Sequence, residues 1–177
     1  MKSRLTTFLL TGLLLASPCD AQQLIADIRQ GTNMALAVSP DGEFIVIDLV
    51  GQLWRLPITG GAASPLTPSD VSARNPRFSS DGKYLVYQER VAGQWDLCLL
   101  ELTTGDRRRL TGPPHNEQDP EFSIDGASVV FASNRAGSYD IWELDLGSNN
   151  SRRVIQTLGD ASSPSVSDTG AIAFINQ

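Results

Sequence analysis

RFSSDGKYLVY, residues 77–87, decides the fold of this chain because near-copies of it recur along the sequence. The copies are AVSPDGEFIVI at residues 37–47, EFSIDGASVVF at 121–131 and a weaker SVSDTGAIAFI at 165–175. Their serines are 40, 44 and 44 residues apart, at Ser39, Ser79, Ser123 and Ser167. A period of that length, built from strands and glycine turns, is typical of β-propeller blades.

Each copy predicts four antiparallel strands. A short first strand ends in the Ser-x-Asp-Gly turn, where Asp bonds the local backbone and Gly takes a positive φ. The second strand is apolar on both faces, which suits a sheet packed between neighbours. The third strands align with Trp54, Cys98 and Trp142 at one position, where we expect core packing between blades.

The sequence therefore predicts an all-β fold, a partial β-propeller of about three and a third four-stranded blades that does not close. The predicted blades cover residues 34–67, 75–111, 119–156 and, for the partial fourth, 163–177. From the turn serine to the third strand there are 13 residues in the first copy but 17 in the next two, which predicts a second hairpin loop of variable length.

Residues 1–21 have the layout of a cleaved signal peptide: a basic start, a twelve-residue apolar run and a small residue at the cleavage point. A lipid anchor on Cys19 is the alternative. The predicted domain is then 22–177, periplasmic or secreted, and not inserted in a membrane. Its only cysteine is Cys98, which excludes an internal disulfide. The net charge of −6 argues against nucleic acid as a partner.

Closed propellers have roughly four to eight blades, so three explanations for the missing blades remain open. The chain is the front part of a longer protein or the product of a truncated gene, or two copies complete one ring, or it survives as an open wedge. The fourth copy stops after its second strand, so the isolated chain is expected to have an unpaired sheet edge, which predicts self-association through that edge.

The motifs around these turns resemble the TolB-type, WD-like propeller repeats of bacterial envelope proteins. The opening Pro-x-Phe-Ser is matched by residues 76–79 and 120–123, the middle Ser-x-Arg-x-Gly by 133–137, and the closing Leu-Thr by 66–67 and 110–111. The resemblance covers residues 32–177 and implies the propeller fold.

The first copy is also similar to the N-terminal propeller of secreted amidohydrolases, through residues 31–42, 48–57 and 60–61. In those enzymes a metal-binding hydrolase domain follows, with a His-x-His pair. This chain has one histidine, so the resemblance carries over no catalytic residue. We expect no catalytic residue, metal site or cofactor in it. The aspartates of the turns hold their own turns, Cys98 is a buried apolar residue, and residues 107–109 form a solvated outer edge.

Strand parity places the loops between second and third strands on the same face as the crossings between blades. The candidate contact residues on this loop-rich face are Arg74, Arg90, His115, Asn116, Glu117, Asp119, Asn134 and Arg135. We expect the face to be polar and to lack aromatic anchors. The function predicted first is a non-catalytic envelope module that binds a protein partner or acts as a scaffold. The alternative is the propeller portion of a secreted metal-dependent amidohydrolase, with a downstream catalytic domain as its partner.

Overall fold

The computed structural model describes residues 34–177, so the predicted signal peptide lies outside the described residues. All regular elements in this part of the chain are strands. Blade 1 is formed by β1 (Leu36–Val38), β2 (Phe44–Leu49), β3 (Gln52–Pro57) and β4 (Ser64–Pro65). Blade 2 is formed by β5 (Ala73–Phe78), β6 (Tyr84–Val91), β7 (Gln94–Glu101) and β8 (Arg107–Arg109).

Blade 3 is formed by β9 (Glu117–Phe122), β10 (Ser128–Ala136), β11 (Ser138–Asp145) and β12 (Ser151–Ile155). A half-blade of two strands follows, β13 (Ala161–Val166) and β14 (Ile172–Asn176). Every sheet is an antiparallel meander in sequence order. The first strands of successive blades lie beside one another, whereas the fourth strands do not, so the described blades fan out from an axis lined by first strands.

The turn between first and second strands is built as the sequence predicts. In blade 2 the Ser79 hydroxyl donates to Asp81 at 2.7 Å, and the Lys83 N–H donates to the same carboxylate at 3.1 Å. Gly82 has a φ of +69°, and Gly126 in blade 3 has +68°. The Ser-x-Asp contact repeats in blades 1 and 3, so these aspartates are turn residues.

The prediction of a variable loop between second and third strands is wrong. In blades 1 and 2 the turn has two residues, 50–51 and 92–93, and the strands differ instead. β2 and β3 have 6 residues each, whereas β6 and β7 have 8. Side chains alternate between the two faces with a period of two. Adding two residues to each strand therefore lengthens the hairpin and leaves all the remaining side chains on the faces that they already occupy.

The hydrophobic core lies between blades rather than within them. Phe44, Val46 and Leu53 of blade 1 pack against Leu85 and other residues of blade 2. The next layer joins blades 2 and 3, and a third joins blade 3 to the half-blade; their central residues are Leu97, Phe122, Phe131, Leu144, Val130 and Ile141. The sheets of blades 2 and 3 are thus covered on both faces by neighbouring blades, which explains why their second strands are apolar on both faces.

The structure confirms the all-β, unclosed partial propeller. In the described part of the chain, the half-blade ends at β14, which has no neighbour on its outer side. No helix among residues 34–177 has the length and apolarity needed to cross a membrane.

Candidate functional site

A ring of polar groups lies where the first strands reach the loop-rich face. Asn75, Asp119 and Ser163 occupy the same position in successive blades, each before a proline and each with a φ between 50° and 53°. This conformation is uncommon outside glycine and is best tolerated by Asn and Asp. The left-handed residue bulges each first strand away from its ladder.

The backbone N–H groups freed at Asn75 and Ser163 donate to side chains of the preceding blade. The Asn75 N–H donates to Asp48 Oδ2 at 3.0 Å, and the Ser163 N–H donates to Asp119 Oδ2 at 3.0 Å. The Asn75 side-chain amide donates to Asp119 at 3.0 Å and to the buried Gln88 at 2.9 Å. One network therefore links blades 1, 2, 3 and the half-blade at this face.

The side chains of Trp95, Arg74 and Arg90 lie beside this network. The Arg74 guanidinium lies 3.9 Å from the centre of the Trp95 ring, and the Arg90 guanidinium lies 5.9 Å from it. Arg90 and Trp95 are directly opposite each other in the β6–β7 hairpin. Tyr139 has the position of Trp95 in blade 3. The expectation of a face without aromatic anchors is therefore wrong.

The two arginines differ in their surroundings. Arg90 is exposed, whereas Arg74 is half-buried and its Nε has no hydrogen-bond partner among the described residues. Burial lowers the pKa of Arg74, and the charges of Asp119 and Asp48 oppose that shift. Burial and the charge of Asp160 raise the pKa of Tyr139. Arg74 is thus a desolvated cation with donor capacity left over, stacked on an aromatic ring.

The crossing from blade 2 to blade 3 holds the hairpin in place. Asn116 Oδ1 accepts from the backbone N–H of Trp95 at 3.1 Å, and the backbone N–H of Asn116 donates to Asn134 Oδ1 at 2.9 Å. Asp160 repeats the first of these contacts by accepting from the Tyr139 N–H at 2.9 Å. Asn116 therefore supports Trp95, Asn134 supports Asn116, and Asp160 supports Tyr139.

Glu117, Arg135 and His115 are placed elsewhere. Glu117 begins β9, and its side chain is 1 % exposed and paired with Arg135 at 2.8 Å. Burial raises the pKa of Glu117, and Ser133 and Arg135 oppose that shift. With His115 these two residues line a cleft between blades 2 and 3. Of the eight predicted contact residues, Arg74 and Arg90 stack on Trp95, and Asp119 lies in the adjacent network near Arg74. Asn116 and Asn134 support the Trp95 backbone, and the other three line the cleft.

The remaining candidates have structural roles. Cys98 is buried in the core between blades 1 and 2, and burial raises the pKa of its thiol to about 12. Arg107 pairs with Glu89 and donates to the Tyr87 hydroxyl at 2.9 Å, while its strand β8 is exposed. Within residues 34–177, no group of three His, Cys, Asp or Glu side chains is arranged to hold a metal ion.

Two comparisons with known proteins agree with this architecture. A family model described as the TolB beta propeller domain matches residues 51–177. The crystal structure of TolB from Acinetobacter baumannii superposes with a TM-score of 0.69 and 22% identity, over 81% of this chain and 38% of TolB. Oligogalacturonate lyase from Vibrio parahaemolyticus superposes with a TM-score of 0.61 and 14% identity, over 80% of this chain and 44% of the lyase.

No curated protein matches the chain in sequence. The chain spans less than half the length of each of the two solved structures, and at such identities the likeness concerns the fold alone.

Proposed function

The chain belongs to the TolB beta propeller domain family, and from this premise we propose that it is a non-catalytic protein-interaction module of the bacterial envelope. The interaction surface is the loop-rich face around Trp95. We call this surface the Trp95 rim and define it by Arg74, Arg90, Trp95, Asp119 and Tyr139.

The observation that carries the proposal is the stack of Arg74 and Arg90 on Trp95, with Tyr139 at the same position of the next blade. Trp, Tyr and Arg are the residues enriched at the energetic centres of protein interfaces. They combine large apolar area with a polar tip, so they contribute much binding energy at a small cost in side-chain entropy. Half-buried Arg74 supplies directed donors for a partner's carbonyl or carboxylate.

The rim is also rigid. The bulges at Asn75, Asp119 and Ser163 are tied to Asp48 and to one another by hydrogen bonds of 3.0 Å. Little conformational entropy therefore remains to be lost when a partner binds, and preorganisation of this kind favours affinity.

Site-specific photo-crosslinking in intact bacterial cells tests the proposal. A photoreactive amino acid replaces exposed Ala136, at the tip of the β10–β11 hairpin, or exposed Asn150, in a turn of the same blade on the opposite face. We expect a discrete crosslinked protein from position 136 and none from position 150. Trp95→Ala should reduce the product from position 136 by roughly tenfold or more, as truncation of an interface centre does.

Arg108→Ala is the control, because Arg108 is exposed on the outer strand β8 and lies away from the rim. It should leave the crosslink unchanged. Equal crosslinking from both faces, or a product that Trp95→Ala leaves intact in a folded protein, would contradict the proposal.

A further inference from the structure

Among residues 34–177, the two arginines of the Trp95 rim have no ion-pair partner. None of the salt bridges in this range involves Arg74 or Arg90. Other arginines of blades 2 and 3 do pair with a carboxylate, namely Arg77, Arg107, Arg135, Arg152 and Arg153. The rim therefore holds two guanidinium groups whose capacity to bind a carboxylate is unused.

The carboxylates nearest to these arginines are held by other groups. Asp48 accepts from two backbone N–H groups at 2.8 and 3.0 Å, and Asp119 accepts from a backbone N–H and a side-chain amide, both at 3.0 Å. Neither can turn towards an arginine without losing a hydrogen bond to a backbone N–H. Glu89, which precedes Arg90 in β6, pairs with Arg107.

The two guanidinium groups are close enough to act on the same anion. Arg74 and Arg90 both lie against the Trp95 ring, at 3.9 and 5.9 Å from its centre, and Arg90 is exposed. Burial and, to a smaller extent, the charge of Arg90 lower the pKa of Arg74, whereas Asp119 and Asp48 oppose that shift. A carboxylate beside both arginines would relieve the repulsion between them.

We propose that the partner of the Trp95 rim binds through an acidic peptide segment, with an Asp or Glu side chain in contact with Arg74 and Arg90; this inference rests on the proposed function. A guanidinium binds a carboxylate through two parallel N–H···O bonds, which fixes the orientation of the segment. Trp95 and Tyr139 offer apolar surface to the residues on either side of it. The chain has a net charge of −6, so an acidic segment is repelled elsewhere and directed to the rim.

Fluorescence anisotropy of the full chain with a labelled hexaglutamate peptide tests the inference. We expect saturable binding, which Arg90→Gln weakens by roughly tenfold because one charge-assisted contact is lost. Raising the salt concentration from about 50 mM to about 500 mM should weaken binding further, because exposed charges are screened. Arg108→Gln is the matched control, an exposed arginine on β8 outside the rim, and should leave the affinity unchanged. Labelled hexaglutamine should not bind.

Two further measurements separate this inference from its rivals. Vesicles containing phosphatidylglycerol distinguish a protein partner from an anionic membrane. The inference is overturned if hexaglutamate shows no saturable binding, if Arg90→Gln binds it as tightly as the parent, or if the rim binds the vesicles instead. In the photo-crosslinking experiment, a product from position 136 that depends on Trp95 but not on Arg90 would overturn this inference alone. The absence of any product from position 136 would overturn the proposed function and this inference with it.

Discussion

Single residues specify the turn at the end of each first strand. In blade 3 the Ser123 hydroxyl donates to Asp125 at 2.6 Å, and the Ser128 N–H donates back to Ser123 Oγ at 2.9 Å. Gly126 completes the turn with a φ of +68°. Three residue types thus satisfy the polar groups of a tight turn without help from distant parts of the fold.

Gly126→Ala should lower the free energy of unfolding by about 1 kcal/mol. Space is not the reason, because a Cβ at this position meets no atom within 4 Å; the reason is the left-handed φ, which disfavours any side chain. Gly112→Ala is the matched control, with open space and no positive φ, and should be neutral. Chemical denaturation measures both, and equal stability of the two variants would contradict the assignment.

The turn aspartates also predict a dependence of stability on pH. Hydrogen bonds from Ser123 and the Ala127 N–H lower the pKa of Asp125 in the folded state. Its contribution is therefore complete above the unfolded pKa of about 3.9 and is lost as the pH falls through the lower folded value. Denaturation at pH 6 and pH 3 should show a smaller acid loss for Asp125→Asn than for the parent, and an identical loss would contradict this account.

At the scale of the element, the longer hairpins of blades 2 and 3 carry three residues of the Trp95 rim, Arg90, Trp95 and Tyr139. The residues that β6 and β7 have beyond their blade 1 counterparts form the pairs Arg90–Trp95 and Val91–Gln94. In blade 3 the corresponding extension contains Asn134, Arg135 and Tyr139. Lengthening each strand by two residues adds surface at one face and does not disturb the packed faces below.

Deleting Arg90, Val91, Gln94 and Trp95 together should leave blade 2 folded, with the Ala92–Gly93 turn joined to Glu89 and Asp96 as in blade 1. We expect a loss of stability of about 1 kcal/mol or less, as for removal of two cross-strand pairs, together with loss of crosslinking at the rim. Deleting only Arg90 and Trp95, which removes one cross-strand pair instead of two, is the control for the number of residues deleted. Thermal melts measure both variants; collapse of cooperative unfolding in the four-residue deletion would show that the extension is part of the core.

At the scale of the whole described chain, both ends of the blade series are open. On blade 1, Leu36 and Val38 share a face with Ile45, Ile47 and Trp54, and no strand among residues 34–177 packs on that face. Leu36 is 59% exposed and Val38 is 51% exposed. At the other end β14 has a free edge on which Ile175 is 52% exposed. Such surfaces favour association with other chains.

The isolated chain should therefore self-associate as its concentration rises. Val38→Lys combined with Ile175→Lys should shift it towards the monomer, because a charge on each open surface opposes pairing. Leu158→Lys is the control, since Leu158 is fully exposed outside the strands and should not alter association. Light scattering over a concentration series decides; a parent chain that stays monomeric throughout would contradict the prediction.

Sequence by itself determined the blade, because everything that specifies it is local. The bonds within Ser-x-Asp-Gly and the apolar second strands act over about ten residues, and their recurrence every 40 to 44 residues predicted the all-β open propeller. Sequence also brought Arg74, Arg90 and Asp119 to one face, since strand parity follows from chain order alone.

Only the tertiary structure decided what those residues do. Whether four more residues lengthen a loop or a hairpin depends on whether the added residues pair across the strands, and here Arg74 and Asn116, both distant in sequence, hold Trp95 in its strand. The stacking of Arg74 on Trp95 joins β5 to β7, and the cleft with Glu117 and Trp142 exists only where one blade packs against the next. The burial of Glu117, which raises the pKa of its carboxyl, likewise arises from the packing of one blade against the next.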